Sequence, residues 1–220
     1  MTDAVIFDLD GVIVDSEPVW EEVRRHYVAE HGGTWQPDSQ RRLMGMSTGE
    51  WARYLSAELG VDRTPEQVAT EVVDEMARRY LAHVPLIAGA DLVVRGLAGH
   101  WPLGLASSSP ARLIEAALRA TGLTDAFAVT LSTEQVARGK PAPDVYLQVA
   151  EKLGAAPDRC VAIEDSSNGV RSASAAGTRV IAVPHASYPI DPDARRLAAL
   201  VIPAIGALTD QVVREVGGEA

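Results

Sequence analysis

The sequence predicts an α/β fold, a mostly parallel sheet with helices on its faces, interrupted by an all-helical insertion. Three observations predict it. Short apolar, β-prone runs recur at 5–7, 103–106, 126–129, 161–163 and 180–183. Helical patterns separate the later runs, and regular strand and helix alternation is the signature of a parallel sheet covered on both faces. Between about 16 and 84 the alternation stops, because no strand-like run occurs there and the patterns stay helical.

The first run, Val5-Ile6-Phe7, ends abruptly in acids and a glycine, which reads as a buried strand delivering its last residues to a loop. The insertion then carries helical patterns over 18–30, 39–43, 49–59 and 65–81, joined by segments rich in glycine, proline and threonine. Linkers near 15–18 and 85–89 divide the chain into an expected core, 1–15 with 85–220, and an expected helical cap, 16–84. Two crossings of this kind make a hinge. Past the second strand, residues 110–121 place Leu113, Ala116, Ala117 and Ala120 on one helical stripe, with Pro110 in the first turn and Gly122 as the stop. Helices over 145–153 and 170–176 are closed in the same way by Gly154 and Gly177.

Composition narrows the class of protein. In a chain of 220 residues, 47% hydrophobic and 23% charged residues describe an ordinary globular protein with room for one α/β domain and a smaller insertion. A formal net charge of −10, with no local basic patch, argues against a nucleic-acid partner. Cys160 is the only cysteine and lies in an apolar run, so an intramolecular disulfide is ruled out and a buried strand thiol is expected. No basic leader or cleavage signal precedes Ala4, and no run reaches membrane-spanning length, which sets the expectation of a soluble cytoplasmic protein with neither membrane nor obligate protein partner.

In open parallel sheets, ligands bind beyond the carboxyl ends of the strands, so the polar residues after each apolar run matter most. They are Asp8 and Asp10, then Ser107, Ser108 and Ser109, then Lys140, then Glu164 with Asp165. Carboxylates gathered at one edge repel one another unless a hard cation joins them, and Mg²⁺ takes oxygen ligands. Asp8, Asp10 and Asp165 are therefore candidate Mg²⁺ ligands, while Ser107 and Lys140 can neutralise phosphoryl oxygens. One carboxylate of the first pair can attack as a nucleophile, and the second, protonated, can serve the leaving alcohol and later the attacking water. Gly11 allows a sharp turn past the phosphate. Taken singly these residues also read as surface acids, helix caps and a solvated lysine; taken together they point to phosphoryl transfer.

The runs Phe7-Asp8-Leu9-Asp10-Gly11-Val12, Ala106-Ser107-Ser108-Ser109, Gly139-Lys140-Pro141-Ala142-Pro143-Asp144 and Ile163-Glu164-Asp165-Ser166 closely resemble, in order and spacing, the four motifs of haloacid dehalogenase superfamily phosphatases. That resemblance implies a Rossmann-like core with a small helical cap and hydrolysis of a small phosphorylated metabolite through an aspartyl-phosphate. It implies Asp8 as nucleophile and Asp10 as general acid and base that also lends a backbone carbonyl to the metal. Ser107, Ser108, Lys140 and Asn168 become phosphate-binding candidates, Asp165 a metal ligand, and Glu164 a ligand directly or through water. Within the superfamily the chain is most similar to the branch of sugar-phosphate phosphatases, phosphoglycolate phosphatases and β-phosphoglucomutases. Trp20 stands where the mutases carry a histidine, and Thr48 follows Gly45-Met46-Ser47 where they keep a basic residue, so hydrolysis is favoured over the mutase alternative. The only lysines, Lys140 and Lys152, both lie outside the cap, which excludes a phosphonatase Schiff base. A phosphorylation-switch receiver orders its acids differently, and an inactive binding protein would not keep the whole set.

For substrate selection the cap candidates are Glu17, Trp20, Arg24, Arg42, Met44, Met46, Ser47 and Trp51. Packing within the cap is the competing reading for the two tryptophans, and a solvated helix face for the two arginines. His26, His31, His83, His100 and His185 are not spaced as a metal cluster; only His185 follows a strand, where it would reach the rim of the site.

Overall fold

The computed structural model describes residues 1–43, 46–185 and 189–218. Among them, one sheet forms from β1 (Ala4–Phe7), β2 (Leu103–Ser107), β3 (Val129–Ser132), β4 (Cys160–Glu164), β5 (Arg179–Ala182) and β6 (Leu200–Val201). Every neighbouring pair is parallel, in the order β3-β2-β1-β4-β5-β6. The first strand is thus central, and the strand order reverses across it, between β2 and β4. A crevice opens beyond the carboxyl ends at such a reversal.

Alternation along the strands sorts the core into two layers. Val5 and Phe7 join Leu103, Leu105, Val161, Ile163 and Ile181 on one face, against α5 (Ala90–Ala98) and α6 (Ala111–Thr121). Ala4 and Ile6 join Ala106, Cys160, Ala162, Val180 and Ala182 on the other, against α7 (Asp144–Leu153) and α8 (Ser167–Ala175). Cys160 is buried at the start of β4, as its apolar context predicts. The short helices α9 (Pro192–Arg195) and α10 (Asp210–Val216) complete the chain.

One strand expectation shifts, and one strand was not expected. The apolar run at 126–129 predicts the third strand, but β3 starts at Val129, because Phe127 turns inward to meet Phe7 edge-on at 6.0 Å instead of pairing in the sheet. The two-residue β6 is too short to leave a pattern.

Between Asp15 and Pro85 the described chain holds α1 (Glu17–Glu30), α2 (Ser39–Leu43), α3 (Thr48–Arg53) and α4 (Pro65–Ala82). The helix α3 runs on into a wider turn over Tyr54–Glu58, closed by Leu59 N–H donating to Tyr54 O at 3.1 Å. Thr64 caps α4: its hydroxyl accepts from Gln67 N–H while the Gln67 side chain accepts from Thr64 N–H, with Pro65 in the first turn. Val68, Val72, Met76 and Tyr80, each four residues apart, form its buried stripe. That helix lies along α6, and Arg112 pairs with Asp74 across the contact. The two crossing segments run side by side, Asp15 N–H donating to Pro85 O at 2.8 Å and Ile87 N–H to Ile13 O at 2.9 Å. Among the described residues, no helix is long and apolar enough to cross a membrane.

Candidate active site

Strand ends bring the predicted residues together. Asp8 leaves β1 with its N–H donating to Ile163 O at 3.0 Å, so the neighbouring strand fixes its backbone. Lys140 Nζ donates to Asp8 Oδ1 at 2.7 Å, to Glu164 Oε1 at 2.6 Å and to Ala106 O at 3.0 Å. Three acceptors match the three hydrogens of an ammonium. Lys140 is 5% exposed and Glu164 not at all, so these charge-assisted bonds lie out of bulk water.

Glu164 is saturated by its neighbours. Oε1 also accepts from the Tyr146 hydroxyl at 2.7 Å, and Oε2 accepts from Asp165 N–H, Ser166 N–H and the Ser166 hydroxyl at 3.2 to 3.4 Å. A carboxylate offers about four lone-pair sites. Glu164, expected as a metal ligand directly or through water, also anchors Lys140, and its carboxylate stays within reach of those of Asp8 and Asp165. Gly169 makes room for it, since a Cβ there would strike the Glu164 carboxylate.

Asp10 is held by two serines. Its Oδ2 accepts from Ser109 Oγ at 2.8 Å and Ser107 Oγ at 3.2 Å, while its buried Oδ1 has no hydrogen-bond partner among the described residues. Ser107, expected on the phosphate, is fully buried, and its hydroxyl also accepts Ser109 N–H at 2.9 Å, so it meets the site through Asp10. Ser108 is exposed and faces the cavity, as does half-buried Asn168. Asp165 sits across from Gly11, whose φ of 77° and missing side chain are both required, because a Cβ there would occupy the position of the Asp165 carboxylate.

Asp8, Glu164 and Asp165 each offer an oxygen within 4.8 Å of the others. Burial raises the Asp8 carboxyl to about 8; Lys140 pulls against the rise, and Glu164 and Asp10 add to it. Burial, then Asp8 and Glu164, push Asp165 well above the usual carboxylate range. For Lys140 burial acts downward, but Asp8 and Glu164 outweigh it and hold the ammonium charged. One lysine among four acids leaves a deficit of positive charge. Hard oxygen donors, mutual repulsion and the partnerless Asp10 Oδ1 all fit a divalent cation of the Mg²⁺ type.

These groups floor a cavity of about 620 Å³, within the roughly 300–1,000 Å³ of small-molecule sites. Glu17, Trp20, Arg24, Met46 and Trp51 form the opposite wall. Arg42 points elsewhere, bonded to Glu58 at 2.6 Å over the Tyr54 ring, and Ser47 caps α3 through Glu50. Met44 lies outside the described residues. His185 stands 3.6 Å from Asp15, where the chain enters the helical insertion.

A family model for haloacid dehalogenase-like hydrolases matches residues 2–177. The chain belongs to this family. Hexitol phosphatase B from Escherichia coli is 36% identical to this hydrolase over 200 residues, 86% of each chain. A bifunctional riboflavin kinase/FMN phosphatase from Arabidopsis thaliana is 30% identical over 186 residues, 84% of this chain; the hydrolase spans about half of that relative, 49% of its length. Among solved structures, CbbY from Rhodobacter sphaeroides in complex with phosphate superposes with a TM-score of 0.83 at 26% identity, covering 94% of this chain and 96% of that one.

One site residue has no signal in the sequence: Tyr146, one more apolar position within a helix. Ser109 lies in the second motif without a role of its own there, and Arg24 is a cap candidate whose competing reading is a solvated helix face; it is 5% exposed. The available signal was its spacing, four residues after Trp20 and three before Tyr27, on the buried stripe of α1.

Proposed function

We propose that this hydrolase is a Mg²⁺-dependent phosphatase that acts on a small sugar or polyol phosphate through an aspartyl-phosphate on Asp8. The observation that carries the reading is the Asp8 carboxylate at the end of the central strand, tied to a buried Lys140 and flanked by Asp10 on the floor of the cavity. Asp8 attacks phosphorus as the bond to the leaving alcohol breaks, and Asp10 gives that alcohol its proton. Asp10 then takes a proton from water, whose oxygen attacks the aspartyl-phosphate, freeing Asp8 and inorganic phosphate. Ser107 and Ser109 hold Asp10 in position for both transfers. Asp8 and Asp165, with Asp10, would hold Mg²⁺, which when bound offsets the charge of these acids and of the phosphoryl oxygens. Ser108 and Asn168 are placed to meet those oxygens, and Glu164 and Tyr146 serve by fixing Lys140. Residues 16–84 act as a cap over a core of 1–15 and 85–220, its closure shielding the phosphoryl group from bulk solvent while Asp10 holds the one water that attacks.

Support for the substrate class comes from the cavity size and the similarity to hexitol phosphatase B. The test is turnover of a panel of phosphate esters, with Mg²⁺ and with a chelator, for the native chain and Asp8→Asn. Activity should vanish with the chelator and fall at least about a thousandfold in Asp8→Asn. Unchanged turnover in that variant refutes the covalent route, and conversion of β-glucose 1-phosphate to its 6-phosphate would make the protein a mutase.

A further inference from the structure

The cap wall holds buried polar groups that the phosphoryl chemistry does not use. Arg24 lies with its guanidinium carbon 4.4 Å from the ring centre of Trp20 and 5.1 Å from that of Trp51, the two indoles being 5.9 Å apart. Both tryptophans and Arg24 line the cavity. Arg24 Nε is buried and has no hydrogen-bond partner among the described residues. Glu17, also on the cavity, accepts from Gln40 Nε2 at 2.7 Å, which steadies its carboxylate from behind.

A buried guanidinium without a full set of acceptors is costly unless a ligand completes it. Ring faces compensate part of that cost and lock the fork in one orientation. Burial lowers the Arg24 pKa to about 10, with Glu17 and Asp10 opposing, so the group stays cationic at neutral pH. The pair therefore offers the cavity a fixed donor beside a fixed acceptor. A hydroxyl both donates and accepts, whereas a second phosphate or carboxylate would meet Glu17 and Asp10 as like charges. The indole faces cover carbon between hydroxyls.

We propose that Arg24 and Glu17, set by Trp20, Trp51 and Gln40, are specificity-determining residues that read hydroxyls on a neutral polyhydroxylated leaving group. The assignment rests on the phosphatase reading above. Sites built to hydrogen-bond a hydroxyl discriminate strongly against analogues that lack it, so the discriminating quantity is a ratio of substrates.

The experiment compares kcat/KM for sorbitol 6-phosphate, n-hexyl phosphate and fructose 1,6-bisphosphate in the native chain, Arg24→Met and Glu17→Gln. Native enzyme should prefer sorbitol 6-phosphate to n-hexyl phosphate by about a hundredfold or more. Arg24→Met should shrink that ratio about tenfold to a hundredfold, the worth of a hydrogen bond to a charged group. Glu17→Gln should raise relative turnover of the bisphosphate, which keeps the proposal testable even if Arg24→Met fails to fold. Equal loss on the hydroxylated and hydroxyl-free esters in Arg24→Met, or a larger loss on the bisphosphate, overturns it. Should the native chain hydrolyse none of the esters, the phosphatase reading fails by itself. The subsite is then judged by tryptophan fluorescence: free sorbitol and inorganic phosphate are titrated separately, and Arg24→Met must weaken sorbitol at least about tenfold while leaving phosphate within about twofold.

Discussion

The two walls of the cavity are built on opposite principles. On the core side, Lys140 places all three hydrogens on acceptors and Glu164 takes donors on both oxygens, from strand ends fixed by the sheet. On the side of the helical insertion, Arg24 is just as buried but leaves Nε without a partner among the described residues, and aromatic faces hold it in place of carboxylates. The difference separates two tasks. Groups that do the same chemistry on every substrate are preorganised by one another, and groups that choose the substrate are left with bonding capacity to spare.

Breaking the core network should have the largest effect. Lys140→Met strands Asp8 and Glu164 as buried carboxylates facing one another, and urea unfolding should show a loss of about 3–5 kcal/mol, as for a buried ion pair deprived of one member. Next in size is the response to pH and metal. The folded pKa of Asp8, about 8, lies above its ordinary 3.8, and that of Asp165 is raised too. A carboxyl raised in this way favours the fold while protonated, so stability from these two groups is fully present below about pH 4 and lost as pH climbs toward about 8. The metal-free protein should melt at lower temperature at pH 8 than at pH 6, and Mg²⁺ should raise the melting midpoint more at pH 8. An equal metal effect at both values would mean the acids do not bind it. The smallest effect belongs to the cap wall: Arg24→Met should change unfolding free energy by no more than about 1 kcal/mol, since apolar replacement of a buried charge is often neutral. A loss comparable to that of Lys140→Met would erase the contrast.

The parallel sheet and the helical insertion could be read from the sequence because buried strands appear as apolar runs. Asp8, Asp10 and Asp165 stand out because they follow two of those runs closely, whereas Lys140 lies in the loop beyond β3 and stands out only through its motif. What pattern could not show was which polar atom each residue would satisfy. Ser107 and Glu164 have the residue types of a phosphate holder and a metal ligand, and side chains remote in sequence also bond them: Asp10 the serine, Lys140 and Tyr146 the glutamate. Phe127 misplaced a strand because an aromatic reads equally as sheet or as plug. Arg24 was ambiguous because a cation on a helix is usually solvated, and only the tertiary placement of Trp51 beside Trp20 gives it a buried seat.

The central claim is that Asp8 carries the phosphoryl group. Mixing enzyme, Mg²⁺ and sorbitol 6-phosphate, quenching within one turnover and reducing with tritiated borohydride would mark any acyl phosphate on the chain. The label should fall on the peptide containing Asp8 and be absent in Asp8→Asn. Full turnover with no label, or label on a peptide containing another carboxylate, would contradict the account.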